Sequence, residues 1–319
     1  MLRLVMMGTG EFALPAFRTL YESGHEVAAL FTQPDRAGRG HHHHPHPMKD
    51  EAVARGTPVF QPENVNRPES LAELRKLEAD VFVVAAYGQI LSPELLSIPK
   101  WGAINLHASL LPKYRGAAPV QYAVWMGETE TGVTIFRIEP RLDAGPILAV
   151  ARTPIEPKET AGELEKRLAA LAAPLLLNTL GRIETGNVEE LPQDRSAVTK
   201  APRLKKSDGR IDWSLPPERI ERHVLAMQPW PTPYSFLVTH GHDPLRLLVL
   251  EVEPVEWSPS VAPGTVVEVT RDWLVVQAGH GAVELVRVQP SGKRAMSAAE
   301  FLCGHMVHVG DRFDATPRE

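Results

Sequence analysis

The first hundred residues alternate between two apolar periods, and that alternation constrains the fold more than any other feature. A short apolar run from Leu2 to Met7 ends at Gly8. Phe12 to Tyr21 then places Phe12, Ala16, Phe17 and Leu20 near helical spacing. Val27 to Phe31 reads as a strand, Leu71 to Ala79 as a helix, and Val81 to Ala86 and Ala103 to Leu106 as buried strands. Parallel strands must be joined by a long crossover, which is usually a helix. The alternation therefore predicts an α/β, Rossmann-like sheet, parallel and doubly wound. Thr131 to Ile138 and Ile147 to Thr153 look like later strands. Glu159 to Ile183 is a long helical stretch, which Pro174 should kink or divide.

From Gly186 to Asp212 the chain turns polar and contains Pro192, Pro202 and Gly209, which suits a linker. Beyond it, a helix near Pro217 to Met227 precedes short Val-rich runs at 245–252, 264–269, 273–277 and 283–288. These predict a small antiparallel barrel. The expected organisation is a domain over 1–185, a linker over 186–206 and a barrel domain over 207–314. A hydrophobic fraction of 43% and a charged fraction of 23% exclude wholesale disorder. The net charge of −5 does not announce a polyanionic partner. A single thiol, Cys303, cannot form an internal disulfide, and it excludes zinc sites built on several thiolates. The apolar start reaches Glu11 too soon for a signal segment, and the run Leu168 to Gly181 is too short to span a bilayer. A cytoplasmic, membrane-free protein without a metal site is expected.

Two motifs carry chemistry. Gly8-Thr9-Gly10-Glu11-Phe12-Ala13 fits a G-x-G-x-x-A turn between strand and helix. A nicotinamide dinucleotide would want an acidic residue at the tip of the second strand, but the chain there reads Phe31-Thr32-Gln33-Pro34. Asn105 and His107 lie two apart at the end of a predicted buried strand. In an extended segment they share a face, at the end where open α/β sheets bind ligands. Asp143 follows in the Gly/Pro loop Leu142 to Pro146. An amide that polarises a carbonyl, an imidazole that moves a proton and a carboxylate that orients it suit acyl transfer. A solvated strand-end histidine and an Asx-turn aspartate fit the same spacing.

The block Ala103 to Pro119, with Thr131-Gly132-Val133-Thr134 and Leu142-Asp143-Ala144-Gly145, resembles the 10-formyltetrahydrofolate-dependent formyltransferases. Phe31 to Arg36 with Ala37 to Gly40, Val59 to Pro62, Ala86 to Leu91, Ile211 to Trp213, Pro229 to Pro231 and Pro290 to Ser297 are similar as well. The likeness spans nearly the whole chain and is strongest to the members that act on initiator methionyl-tRNA.

The resemblance implies a catalytic trio of Asn105, His107 and Asp143, with a protonated His107 helping Asn105 hold the formyl oxygen. It implies 10-formyltetrahydrofolate as co-substrate, bound by Ser109, Leu110, Leu111 and Pro112 and faced by Tyr87, Gly88, Gln89, Ile90 and Leu91. Phe12 would touch the methionine side chain, although Gly10 stands where the family usually has proline. For tRNA it implies Arg39, then His41 and His42 where lysines are usual, with Lys205, Lys206, Lys293 and Arg294 further on. Phosphates favour the charged form of imidazole, so tRNA affinity should fall between about pH 6 and 8. A pH profile left unchanged by alanine at His41 to His44 would contradict this. The C-terminal part would be an OB-like barrel, and a monomer is expected. The rival readings are a formyltransferase acting on an amino sugar nucleotide or a glycinamide nucleotide, and a non-catalytic tRNA-binding protein.

Overall fold

The computed structural model describes residues 1–35, 46–258 and 261–314. Arg39 and the tract His41 to His44 lie outside the described residues. The chain folds as two compact units. One comprises Met1–Pro119, Thr129–Ile155 and Glu163–Pro202, and the other Val120–Glu128, Glu156–Gly162 and Arg203 onward.

The N-terminal unit opens with β1 (Arg3–Gly8), α1 (Ala13–Glu22) and β2 (Glu26–Phe31). It continues with α2 (Pro47–Ala54), β3 (Val59–Phe60), α3 (Pro68–Lys76) and β4 (Val81–Ala85). Then come α4 (Pro93–Leu96), β5 (Ala103–His107) and the two-residue β6 (Arg115–Gly116). α5 (Pro119–Met126), which belongs almost wholly to the other unit, is followed by β7 (Glu130–Arg137), β8 (Ile147–Pro154), α6 (Ala161–Glu184) and β9 (Lys200–Ala201). The sheet order is β3-β2-β1-β4-β5-β7-β8. Strands β1 and β4 are fully apolar inside, as a sheet covered on both faces requires. Pro47, Pro68 and Pro93 each occupy a first helical turn, where a missing N–H costs nothing.

Two features refine the expected fold. The sheet is parallel only from β3 through β5, because β5 pairs β7 and β7 pairs β8 antiparallel. The nine residues 138–146 between β7 and β8 are too few for a crossover, so that pair can only be a hairpin. Pro174 does not divide α6, which runs unbroken through 24 residues. Proline removes the bond to the carbonyl of Ala170, and both residues are exposed, so water can satisfy that carbonyl. The buried stripe Leu164, Leu168, Ala172, Leu176 and Leu180 is untouched by it.

The stretch expected as a linker is mostly packed onto this unit. Leu191 bridges Ile147, and β9 pairs β6 through Arg115↔Lys200 and Gly116↔Ala201.

The other unit carries α7 (Pro217–Ala226), then β10 (Tyr234–Val238), β11 (Leu245–Val255), β12 (Val266–Val269), β13 (Leu274–Gln277) and β14 (Ala282–Pro290). β15 (Met296–Ser297), α8 (Ala298–Gly304) and β16 (Arg312–Asp314) complete it. The strands run in the order β12-β13-β14-β11-β10-β16. The end strands meet where Val266 N–H donates to Asp311 O (2.8 Å) and Phe313 N–H to Gly264 O (2.6 Å). This is a nearly closed OB-like barrel, and closure removes the exposed edges. Its core is apolar, with Leu247, Val249, Val276, Leu285, Phe301 and Phe313 all buried. Trp213 Nε1–H donates to Ser235 Oγ (3.0 Å), which donates to Asp314 O (2.8 Å), so the buried indole has a partner. Among the described residues, no helix is long and apolar enough to cross a membrane.

Candidate active site

The sheet order reverses direction between β1 and β4, and ligands bind such sheets at the carboxyl ends beside that reversal. The loops there are Gly8 to Phe12 after β1, Ala86 to Leu91 after β4, and Ala108 to Tyr114 after β5.

Asn105 and His107 sit on β5, opposite Phe136 and Thr134 of β7. Asp143 comes from the loop between β7 and β8, with a left-handed backbone (φ 47°) that aspartate tolerates better than most residues. His107 and Asp143 are brought together: Nδ1 lies 3.8 Å from Asp143 Oδ2, with both side chains nearly buried. His107 Nε2 lies 2.9 Å from the carbonyl of Tyr114. A carbonyl only accepts, so Nε2 carries the proton and Nδ1 presents a lone pair. Burial pulls the pKa of His107 below its ordinary value, and this outweighs the nearby Asp143 carboxylate, which acts to raise it. Burial thus favours the neutral imidazole. The resemblance implies instead a protonated ring donating to an oxyanion. Desolvation, which no spacing reveals, acts against that protonated form.

Nδ1 and Oδ2 are thus two acceptors facing each other across a gap. Asp143 Oδ2 also accepts the N–H of Gly116 at 2.8 Å. The gap suits a group that brings hydrogens, such as an amine or a water. The Asn105 side chain makes no hydrogen bond among the described residues, so its amide is free for a ligand.

A ring of residues holds these groups, and two of them, Gln193 and Thr199, carry no sequence signal. Gln193 Nε2 donates to the carbonyls of Asp143 (3.0 Å) and Gly145 (2.7 Å), and its Oε1 accepts from Arg115 Nη2 (2.6 Å). Gly145 has no room for a side chain, because a Cβ would overlap the Arg137 carbonyl. Tyr114 takes a left-handed backbone (φ 61°) and donates its N–H to Thr199 Oγ1 (2.8 Å). That bond fixes the carbonyl facing His107. The polar 187–202 stretch reads as linker in sequence, so neither Gln193 nor Thr199 stands out there. Thr134 lies in a motif already singled out; its hydroxyl donates to Ser109 O (2.7 Å) and accepts from Leu111 N (3.1 Å).

The residues expected to hold folate fall into two groups. Ser109 Oγ donates to Lys113 O (2.8 Å), closing its own turn. Gln89 is likewise occupied: Oε1 accepts from Val65 N (2.8 Å) and Nε2 donates to Pro62 O (3.0 Å). Leu110, Pro112 and Gly88 keep exposed surface, Leu111 and Leu91 are buried, and Ile90 is 82% exposed. Tyr87 is buried with its hydroxyl unpartnered, and burial pushes its phenol pKa up. Phe12 is buried directly before α1. Gly10 has φ +81°, which proline cannot adopt, so this turn follows a path the family's usual proline would forbid.

Of the cations expected to meet tRNA, Lys205 donates its N–H to Asp208 Oδ2 (2.6 Å) at the head of a short 3-10 turn containing Lys206. Lys293 lies in the exposed turn after β14, and Arg294 pairs with Glu300 (2.8 Å). Among the described residues, no group of three or more His, Cys, Asp or Glu is placed to hold a metal.

A doubly wound sheet with an amide, an imidazole and a carboxylate at its carboxyl end, joined to a barrel, defines a class of group-transfer enzyme. The chain belongs to the formyl transferase family: residues 2–180 match the formyl transferase model and residues 203–306 the formyl transferase C-terminal domain. It is a formyl-transfer enzyme. The methionyl-tRNA formyltransferase of Symbiobacterium thermophilum is 45% identical over 316 residues, covering 98% of this chain and 95% of the relative. That of Methylococcus capsulatus is 43% identical over 307 residues, covering 96% and 98%. The chain is also similar to an N-formyltransferase from Helicobacter canadensis solved with folinic acid and dTDP-3-aminofucose (TM-score 0.67, 16% identity, 91% of this chain and 100% of that one). At that identity the likeness concerns the fold.

Proposed function

We propose that this chain transfers the formyl group of 10-formyltetrahydrofolate to the α-amine of methionine on initiator methionyl-tRNA, in the cytoplasm and as a monomer. The observation that carries the reading is the acceptor pair His107 Nδ1 and Asp143 Oδ2, with Asn105 two residues before His107 on the same strand. The tRNA substrate is supported by relatives of that activity matching nearly the whole chain, barrel included.

In the reaction the amine nitrogen bonds to the formyl carbon and the bond from that carbon to N10 breaks. The amine loses one proton and N10 gains one. Asn105 Nδ2 donates to the formyl oxygen as negative charge grows there. His107 Nδ1 accepts the amine proton and returns it towards N10. Asp143 stabilises the imidazolium formed in between, and the Nε2–H bond to Tyr114 O holds ring and tautomer in place. Leu110, Pro112 and Ile90 offer apolar surface to the pterin, backed by the buried Leu111 and Tyr87, with backbone groups of Ser109, Gly88, Gln89 and Leu91 alongside. Phe12 contacts the methionine side chain. Arg39, His41 and His42 meet the acceptor stem, assisted by Lys205, Lys206, Lys293 and Arg294. With a net charge of −5, attraction to tRNA is local, so salt dependence is weaker than for a uniformly basic relative.

The test is transfer of labelled formyl from 10-formyltetrahydrofolate to charged initiator tRNA, run beside an amino sugar nucleotide and glycinamide nucleotide. Transfer to tRNA alone is expected. Transfer to a small amine and not to tRNA overturns the reading. Binding of tRNA without transfer would mean a non-catalytic protein.

A further inference from the structure

The barrel carries a concavity that the bond-making and proton-moving steps of formyl transfer do not use. It encloses about 450 Å³ and is lined by Trp230, Tyr234, Phe236, Leu248, Lys206 and Arg246, with Pro231 and Thr232 at its rim. Its origin is the alternation along β10. Ser235 and Leu237 turn into the core, at 0% and 2% exposure, so Tyr234 and Phe236 must face outward. On β11, Leu248 stands opposite Tyr234 and Arg246 opposite Phe236. Trp230 is 48% exposed.

Three outward aromatics on one face are more apolar area than a barrel surface needs. Two cations accompany them. The Arg246 guanidinium lies over the Tyr234 ring, 4.2 Å from its centroid, and its other plane faces away from that ring. Tyr234 and Phe236 meet edge to face at 5.9 Å, which holds the Phe236 ring upright. Neither Arg246 nor Lys206 has a carboxylate partner among the described residues. A bare anion would not require the aromatic wall, and a proline-rich or apolar peptide would not require two unpaired cations. A base with its phosphate requires both: bases stack on aromatic rings and guanidinium planes, and the cations meet the backbone. The volume lies within the range of about 300–1,000 Å³ usual for small-ligand sites.

We propose that this concavity binds one unstacked nucleotide of an RNA, with its base against Trp230, Phe236 and the Arg246 plane and its phosphate against Lys206 and the Arg246 edge. The proposal rests on the tRNA reading only for which RNA is bound.

The test uses the full chain, a 5′-labelled tetrauridylate followed by fluorescence anisotropy, and inorganic phosphate as competitor. Trp230→Ala is expected to weaken tetrauridylate binding by about fivefold to a hundredfold, the effect of losing one stacked base. Arg246→Gln should weaken it similarly, and Arg246→Lys, which keeps the charge but not the plane, by less. Phe236→Leu serves as a second stacking variant should Trp230→Ala melt early. Binding unchanged in Trp230→Ala, Phe236→Leu and Arg246→Gln overturns the proposal, as does phosphate displacing the label as well as uridine monophosphate does. Formyl transfer measured on the same preparations separates the two readings, since loss of transfer to tRNA with nucleotide binding intact rejects only the catalytic one.

Discussion

Around His107 a partly buried polar network links Tyr114 O, Asp143, Gly116 N–H, Gln193 and Arg115. In the barrel the buried groups are Val, Leu and Phe, and the short chain Trp213–Ser235–Asp314 is the exception. The difference teaches where each region's specificity comes from. Apolar packing is non-directional and stabilises in proportion to area. A polar network fixes positions and leaves a costly orphan when one member is lost. The N-terminal site should therefore lose rate before stability, and the barrel stability before rate.

Asn105→Ala tests this most severely. Loss of one donor to a developing oxyanion should lower single-turnover formyl transfer by about a hundredfold to a thousandfold. The thermal midpoint should hardly move, because Asn105 has no partner to leave orphaned. A large drop in midpoint would break the contrast. Phe301→Ala is the mirror experiment. The ring is fully buried in the barrel, so about 3–5 kcal/mol of stability should be lost in a denaturant titration. Single-turnover transfer at saturating tRNA should survive below the unfolding transition.

The pH profile sharpens the electrostatic half of the comparison. Burial lowers the pKa of His107, so its working neutral form persists below the ordinary value of about 6.5. The rate should be flat near pH 7 and fall only as pH drops through the lowered pKa. Asp143→Asn removes the carboxylate that holds this pKa up, so the acid limb should move to still lower pH. The plateau should drop by about tenfold or more. An acid limb at or above pH 7 contradicts the neutral ring. The smallest effect is expected at the barrel's α8, where Ser297 Oγ accepts from Glu300 N (3.1 Å) and Glu300 returns the bond to Ser297 N (3.0 Å). Ser297→Ala should cost about 1 kcal/mol, without changing the transfer rate.

Much of this is legible in the chain. Strands β1, β2, β4 and β5 announce themselves as apolar runs, and the Val-rich runs after residue 240 announce most of the barrel. β10 and β16 give no such signal. β10 is short, carries aromatic residues outward and a serine inward, and β16 has three residues and exists only because it closes the barrel. Asn105 and His107 stand out because two residues on one strand share a face by geometry alone. Gln193 and Thr199 do not, because they reach the site from about fifty residues or more further along the chain, in a stretch whose composition says only that it is polar.

The sequence by itself determined the alternating sheet, the change of pattern near residue 200, the catalytic trio as candidates and the family. Those depend on periodicity, residue type and motif order, which are local properties of the chain. Tertiary structure decided the antiparallel turn of the sheet at β7 and β8, the docking of 187–202 onto the first unit, and the downward shift of the His107 pKa. Each depends on what lies across space from a residue. The proton on Nε2 is set by a carbonyl seven residues away, and the depressed pKa by everything that keeps water from the ring.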